Sequence, residues 1–541
     1  MLVTNLLTIV DGAPILQIVA VEPPQPAQLG HFVLLDNRYL QRIFSQKLST
    51  TFRSPNLHER MTNNIEQPAA ENGAPNDQLD AMLDRIKVLA DTGPDAGPSA
   101  QDGQTAAPSQ AQADALAALE AESGFFPHAK LSFKEMGISA TTLEELITKY
   151  LFAKGEATIR EIAEQTAIPM PLAEEVTTYM KKEQLLGYVG QAALNDYVCK
   201  LTESGRERGK RYNDFCTYFG AAPVPFEQYI GSVTAQTINN QNPGEEDLSR
   251  AFSDLLIDPD MMIKLGPAVN SGKGMFLFGY PGNGKTSIAE RVTSSFGKYV
   301  WIPRSITVDR DIIRVFDPMN HVEAKLEKGD GWLNDVQFDE RWVRIERPTI
   351  VVGGELTMEH LEIQYNAATG ISEAPVQMKS NCGTLVIDDF GRQRMSVDEL
   401  LNRWIVPLEK RYDYLNTSNG KKIQVPFDQL VIFSTNLEPK DLVDDAFLRR
   451  IPYKIEVPNP SLENFVKLFE IMCNVYKFKW EPAMVQRLIE KHYIPTNRPF
   501  RNCHPRDLLL QVKNYCLYQK KPVILTDEAF DFACENYFSV M

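Results

Sequence analysis

Eight residues, GYPGNGKT from Gly279 to Thr286, combine the parts that a phosphate group needs. Glycines let backbone N–H groups converge on an anion, and a helix starting at the same place adds its positive dipole end. The spacing GxxxxGK[ST] assigns Lys285 to the β and γ phosphates of a nucleotide and the Thr286 hydroxyl to Mg2+. The flanks agree: Met275-Phe276-Leu277-Phe278 reads as a buried parallel strand, and SIAERVTSSF reads as the helix that follows. Gly279, Pro281, Gly282, Asn283, Gly284, Lys285, Thr286 and Ser287 are the expected nucleotide contacts.

Such a loop needs an acid on a second strand, and LVIDDFG supplies it: an apolar run, Leu385 to Ile387, delivers Asp388 and Asp389. The first acid is expected to hold the metal ion with Thr286, and the second to polarise the attacking water. A third apolar run, QLVIFSTNLEP, ends on Thr435 and Asn436 and reads as another strand. A strand-capping turn is the structural reading of Asn436.

This order of motifs, over roughly residues 245 to 541, resembles the AAA+ superfamily. The resemblance implies an α/β P-loop core, a parallel sheet flanked by helices over 244–460, and a helical lid over 461–541. It implies ATP and Mg2+ as ligands, Asn436 as the sensor 1 residue that positions the attacking water, with Thr435 as the second choice, and a ring, usually of six. In DDAFLRRIPYKIEV it places an arginine finger at Arg450, with Arg449 as the fallback. HPRDLLL resembles the lid helix whose arginine contacts nucleotide, which would be Arg506, unless its partner is only Asp507 beside it. Leu265, Gly266 and Tyr280 are the weakest assignments, as adenine contacts. The family usually ends its acidic strand in Asp-Glu, whereas Asp388-Asp389 stands here, and this departure puts the hydrolysis rate in question.

The elements upstream carry less chemistry. TTLEELITKYLFAKG, ATIREIAEQTAI and PLAEEVTTYMKKEQ have helical spacing, followed by the strand-like LLGYVG and DYVCKLT and by the polar helix ESGRERGKRYN. That order over 125–215, with its closing LTESGRERG, resembles a winged helix. Its recognition helix, Pro171 to Gln184, sets Glu174, Glu175 and Glu183 against Lys181 and Lys182, which favours a protein contact; the basic Arg206, Arg208, Lys210 and Arg211 keep duplex DNA open as a partner. Residues 61–124 and 216–243 read as linkers, the first disordered except for a helix around Asn76 to Ala90. Residues 1–60 are harder to place: a hairpin around Asp11-Gly12 is expected, and Met61 marks an alternative start.

A segment from Asp309 to Gly383 separates the expected second strand from Asp388. Its Trp332, Phe338, Arg341, Trp342 and Arg344 fit either a pore that grips a polypeptide or a local core. The helix RMSVDELLNRWIVPLEKRYDYL is expected to bury Trp404.

Composition bounds the rest. At 541 residues the chain needs several domains. A net charge of −15 argues against bulk electrostatic attraction to nucleic acid. Seven scattered cysteines without a CxxC pair fit reduced thiols, and neither a signal peptide nor an 18-residue apolar span is evident, so a cytoplasmic protein with no membrane partner is expected. The expected function is an ATP-hydrolysing ring oligomer of chaperone type that remodels a protein client. A DNA-associated regulator and a slow nucleotide-gated scaffold are the alternatives.

Overall fold

The computed structural model describes residues 3–10, 13–20, 110–193, 196–326 and 337–539. The chain divides into two units, Met1–Gln78 and Leu79–Met541. In the first, β1 (Val3–Val10) and β2 (Ala13–Ala20) pair antiparallel with Val10 opposite Ala13, the expected hairpin. The helix expected around Asn76 to Ala90 and the residue Trp332 lie outside the described residues.

In the second unit, residues assigned to a linker are ordered from Gln110 onward. Helix α1 (Gln110–Ser123) is Ala-rich, which reads as low complexity but is also the composition with the highest helix propensity. Leu116 and Leu119 pack on a cluster containing Phe126, Trp301 and Trp342, and Glu122 pairs with Arg344 at 2.6 Å.

The next residues form α2 (Ala140–Lys154), β3 (Glu156–Thr158), α3 (Ile159–Thr166), α4 (Met170–Lys182), β4 (Leu186–Gln191), β5 (Tyr197–Leu201) and α5 (Glu203–Phe215). The three strands make an antiparallel sheet in the order β3-β5-β4. Thr158 and Glu161 cap α3 reciprocally, satisfying backbone N–H groups that have no partner within the helix. Glu144 is buried under α5, where Arg208 reaches it at 3.2 Å and the Tyr212 hydroxyl donates to it at 3.3 Å.

The 216–243 segment is likewise no linker. It contains α6 (Phe226–Ala235), which buries Tyr229 and Val233, and the following Gln236 bonds both the N–H and the carbonyl of Trp301, at 2.6 and 2.9 Å. Its apolar residues close a β-rich layer built from Tyr299–Pro303, Ser305–Val308, Asp311–Arg314, Trp342–Glu346 and the hairpin Tyr412–Asn416 with Lys422–Pro426. Arg341 is fully buried, ion-paired to Asp339 at 2.7 Å and donating to the Met136 carbonyl at 3.0 Å. Trp342 is buried, the Phe338 ring lies tilted against Trp301 with centroids 5.0 Å apart, and Arg344 covers the Tyr299 ring at 3.6 Å. These four side chains are packing rather than pore lining.

The central sheet is all parallel. Its strands are β6 (Met275–Phe278), β7 (Thr349–Val352), β8 (Thr384–Ile387), β9 (Leu430–Thr435) and β10 (Tyr453–Glu456), in the order β7-β8-β9-β6-β10. The inner strands β8, β9 and β6 are covered on both faces, which is why they are near-continuous apolar runs, whereas the edge strand β10 exposes Lys454 and Glu456. Alternate residues take opposite sides: Phe276, Leu385, Ile387 and Phe433 pack with Trp404 of helix α8 (Val397–Lys410), and Met275, Leu277, Val386 and Ile432 pack toward helix α7 (Lys285–Val292). The neighbour of β8 is thus Thr349–Val352, and the earlier run Tyr299–Pro303 pairs instead with Trp342–Glu346. Four helices follow, α9 (Leu462–Tyr476), α10 (Pro482–His492), α11 (His504–Tyr518) and α12 (Asp527–Phe538), around a core that includes Phe465, Phe469, Leu508 and Phe530.

Candidate active site

In a parallel sheet, loops at the carboxyl ends of the strands are the natural place for a ligand. Here β6 runs into Gly279, β8 into Asp388 and β9 into Asn436, three adjacent strands delivering polar residues at one edge. The loop after β6 requires its glycines. Gly279 has φ 137°, and a Cβ there would stand 2.5 Å from the Val457 carbonyl oxygen; Gly282 has φ 83°, and a Cβ would stand 2.5 Å from Cys503 Sγ.

Lys285, the first residue of α7, folds back over the loop. Its Nζ donates to the Gly279 and Tyr280 carbonyls, both at 3.0 Å, and to Asn436 Oδ1 at 2.7 Å. Burial lowers its pKa, opposed by the charges of Asp388 and Asp389 and assisted by Arg501. Thr286 Oγ1 donates to Asp388 Oδ2 at 2.8 Å. Asn436 Nδ2 donates to Asp389 Oδ1 at 3.3 Å, so one amide joins the lysine to the second acid. Asp389 has φ 48°, an uncommon conformation for a non-glycine residue, and Gln393 Nε2 braces the turn by donating to the Asp388 and Asp389 carbonyls. Thr435 is occupied otherwise: its hydroxyl donates to the Phe390 carbonyl at 3.1 Å, which ties β9 to the turn after β8.

The remaining candidates divide. Within the loop, Asn283 is buried and Pro281 is exposed, while Ser287 lies in α7 with its carbonyl accepting from Arg291 at 3.1 Å. Leu265 belongs to the hydrophobic core and Gly266 sits against Leu248, so both are packing positions; Tyr280 is exposed at the loop. Arg450 pairs with Glu409 of α8 at 3.3 Å, and Arg449 is exposed at the end of the short helix Asp445–Leu448. Arg506 pairs with Asp507 at 2.8 Å on an exposed helix start, the local alternative for that residue.

A different arginine stands at the loop. Arg501 lies 4.3 Å over the Tyr280 ring and donates to Asn459 Oδ1 at 3.1 Å. No motif marked it; the signal available was the basic run NRPFRN just before the lid helix. Among the described residues, no cluster of three or more His, Cys, Asp or Glu is placed to hold a metal ion, and no helix is long and apolar enough to cross a membrane. A hydroxyl and a carboxylate in contact at the start of α7 are nonetheless the hard-oxygen donors that suit Mg2+ with phosphate and water as its other ligands.

Fold and site together define a P-loop α/β protein: a glycine-rich loop joins β6 of an all-parallel sheet to α7. Among known proteins, residues 461–536, most of the lid, match a family described as a domain of unknown function, DUF8689. The sequence matches no curated protein. Solved structures similar to the chain include the Thermotoga maritima RuvB Holliday junction branch migration motor, at 13% identity over 54% of this chain and 69% of that chain, with a TM-score of 0.29. Two point mutants of the same RuvB match at 11% and 12% identity, over 57% and 53% of this chain and 73% and 71% of theirs, with TM-scores of 0.30 and 0.31.

Proposed function

We propose that this chain is an AAA+ ATPase that binds MgATP at the loop after β6 and hydrolyses it in a ring, usually of six subunits in this superfamily, to remodel a protein client. The observation that carries the reading is the convergence of Lys285, Thr286, Asp388, Asp389 and Asn436 through contacts of 2.7 to 3.3 Å at the ends of three adjacent parallel strands. Phosphate oxygens replace the loop carbonyls and Asn436 as partners of Lys285. Thr286 and Asp388 would hold Mg2+, which would supply charge neutralisation on the phosphates. Asp389 accepts a proton from water as its oxygen bonds to the γ phosphorus and the bond to the bridging oxygen breaks, giving ADP and phosphate. Asn436 orients Asp389 and the water. Arg450 acts on the neighbouring subunit's nucleotide, with Arg449 as its fallback and Arg506 as a lid contact.

Residues 125–215 serve as a winged-helix recruitment domain. The exposed face of α4 is acidic in its first half, which suits a basic protein surface better than DNA. Arg208 is drawn to Glu144, so only Arg206, Lys210 and Arg211 of the basic cluster remain to face a partner. A second reading, duplex DNA on this domain, is favoured by one feature: Tyr188 and Tyr197 stack at 4.8 Å with Lys181 4.0 Å over the Tyr188 ring. A salt-dependent shift of labelled duplex would favour that reading over a protein client.

The test of the main reading is ATP hydrolysis against protein concentration, for wild type and Arg450→Ala, with assembly followed by mass. The rate per subunit is expected to rise with assembly and to fall at least about a hundredfold in the variant. A concentration-independent rate that survives the substitution would refute the shared site.

A further inference from the structure

The residues just before α11 close onto the phosphate-binding loop. The Cys503 N–H donates to the Gly282 carbonyl at 2.9 Å, and Asn502 Nδ2 donates to the Asn283 carbonyl at 3.0 Å. The buried Asn283 side chain completes the contact: Nδ2 donates to Asn459 Oδ1 at 2.8 Å, and Oδ1 accepts from the Asn502 N–H at 3.4 Å. Two successive carbonyls of the loop are therefore held by lid residues.

A trans peptide unit is planar, so the direction of one carbonyl sets the opposite direction for the N–H of the next residue. With the Gly282 and Asn283 carbonyls turned to the lid, the N–H groups of Asn283 and Gly284 point to the other side of the loop. Those are amides of the kind a glycine-rich cradle offers to phosphate oxygens. A docked lid supplies this orientation before any anion arrives, so the anion need not supply it.

We infer that the lid segment Arg501 to Cys503 organises the phosphate cradle, with Asn502 as a positioning residue that acts through the Asn283 carbonyl. The inference rests on the nucleotide reading above and adds a coupling to it. Phosphate held by the two amides and the docked lid favour one another, and the effect is reciprocal. Lid angle then reports phosphate occupancy directly through the loop backbone.

The experiment compares Asn502→Ala with wild type in calorimetric binding of ATP and of adenosine, with folding checked by circular dichroism. Loss of one hydrogen bond is expected to weaken ATP binding about fivefold and leave adenosine binding unchanged. Equal ATP affinity in the two proteins overturns the inference, as does equal weakening of ATP and adenosine, which is what general loosening of the lid would produce. A wild type that binds no ATP refutes the nucleotide reading itself. Should Asn502→Ala not fold, hydrogen exchange on the wild type decides. The Cys503 amide is expected to exchange slowly without nucleotide and more slowly with ATP, and exchange at the unprotected rate, or without response to ATP, overturns the inference.

Discussion

His504 opens α11 one residue after the lid's backbone contact with the loop, and its burial makes that junction sensitive to acid. The imidazole lies among the rings of Phe465, Tyr493, Tyr537 and Phe538, with Nδ1 3.0 Å from the Tyr493 hydroxyl. Burial first, then the charges of Arg501 and Arg498, push its pKa down to about 4, against a smaller opposing effect of Asp507. A cation at a helix N-terminus is also disfavoured by the dipole. The folded pKa lies below that of the unfolded chain, near 6.5, so the unfolded state takes up a proton first as pH falls. Stability is full above about pH 6.5 and is lost progressively toward pH 4, about 3 kcal/mol in all and about 2 kcal/mol of it by pH 5. The assay is urea unfolding at pH 7.5 and 5.0, read from the lid tryptophan Trp480 by difference against Trp480→Phe. His504→Phe removes the titrating group and keeps an aromatic ring in place. Wild type is expected to lose about 2 kcal/mol more than the variant between the two pH values, the acid response of Asp531 and other carboxylates being common to both. Equal losses would refute the argument.

Two further outcomes follow from the geometry. Asp389→Asn keeps the contact with Asn436 but cannot accept a proton, so steady-state kinetics should show kcat lower by about a hundredfold or more with KM little changed; a rate within threefold of wild type would remove Asp389 from the chemistry. Gly205 has no room for a side chain, since a Cβ would stand 2.0 Å from the Leu185 carbonyl oxygen, a backbone atom that cannot swing aside. Gly205→Ala should therefore destabilise the α2–α5 region by about 1–3 kcal/mol, visible as faster hydrogen exchange in its peptides, with exchange in β6 and β9 unchanged.

What could be read in advance divides along a physical line. The loop, the Asp388 strand and the Asn436 strand are contiguous motifs whose apolar flanks announce buried strands, so residue type and placement arrive together. Arg501 reaches the Tyr280 ring and Asn502 the Asn283 carbonyl across 219 residues or more of chain, and a loop residue that meets a backbone carbonyl leaves no periodic trace. The run Tyr299–Pro303 has the apolar pattern of a core strand, and periodicity says that a strand is buried without saying which neighbour it takes. Helix α1 was hidden differently: alanine offers little apolar surface to bury, as disordered sequences do, yet raises helix propensity, and the deciding contacts, Leu116 and Leu119 on a tryptophan cluster, are tertiary.

Asn436 meets two neighbours of opposite charge, and its amide suits both. Lysine has only donors, so the amide oxygen must face Lys285, and the amide nitrogen is left to meet Asp389. An aspartate at this position would pair with the lysine but repel the neighbouring carboxylate, and a lysine would do the reverse. The amide serves both neighbours at once because it carries an acceptor and a donor on one planar group. Under the proposed nucleotide reading, phosphate that draws Lys285 away would release the acceptor end while the donor still holds Asp389. In that reading the side chain that joins the ammonium to the acid would offer its freed oxygen to a water beside that acid, linking arrival of the γ phosphate to readiness of the nucleophile through one rotamer.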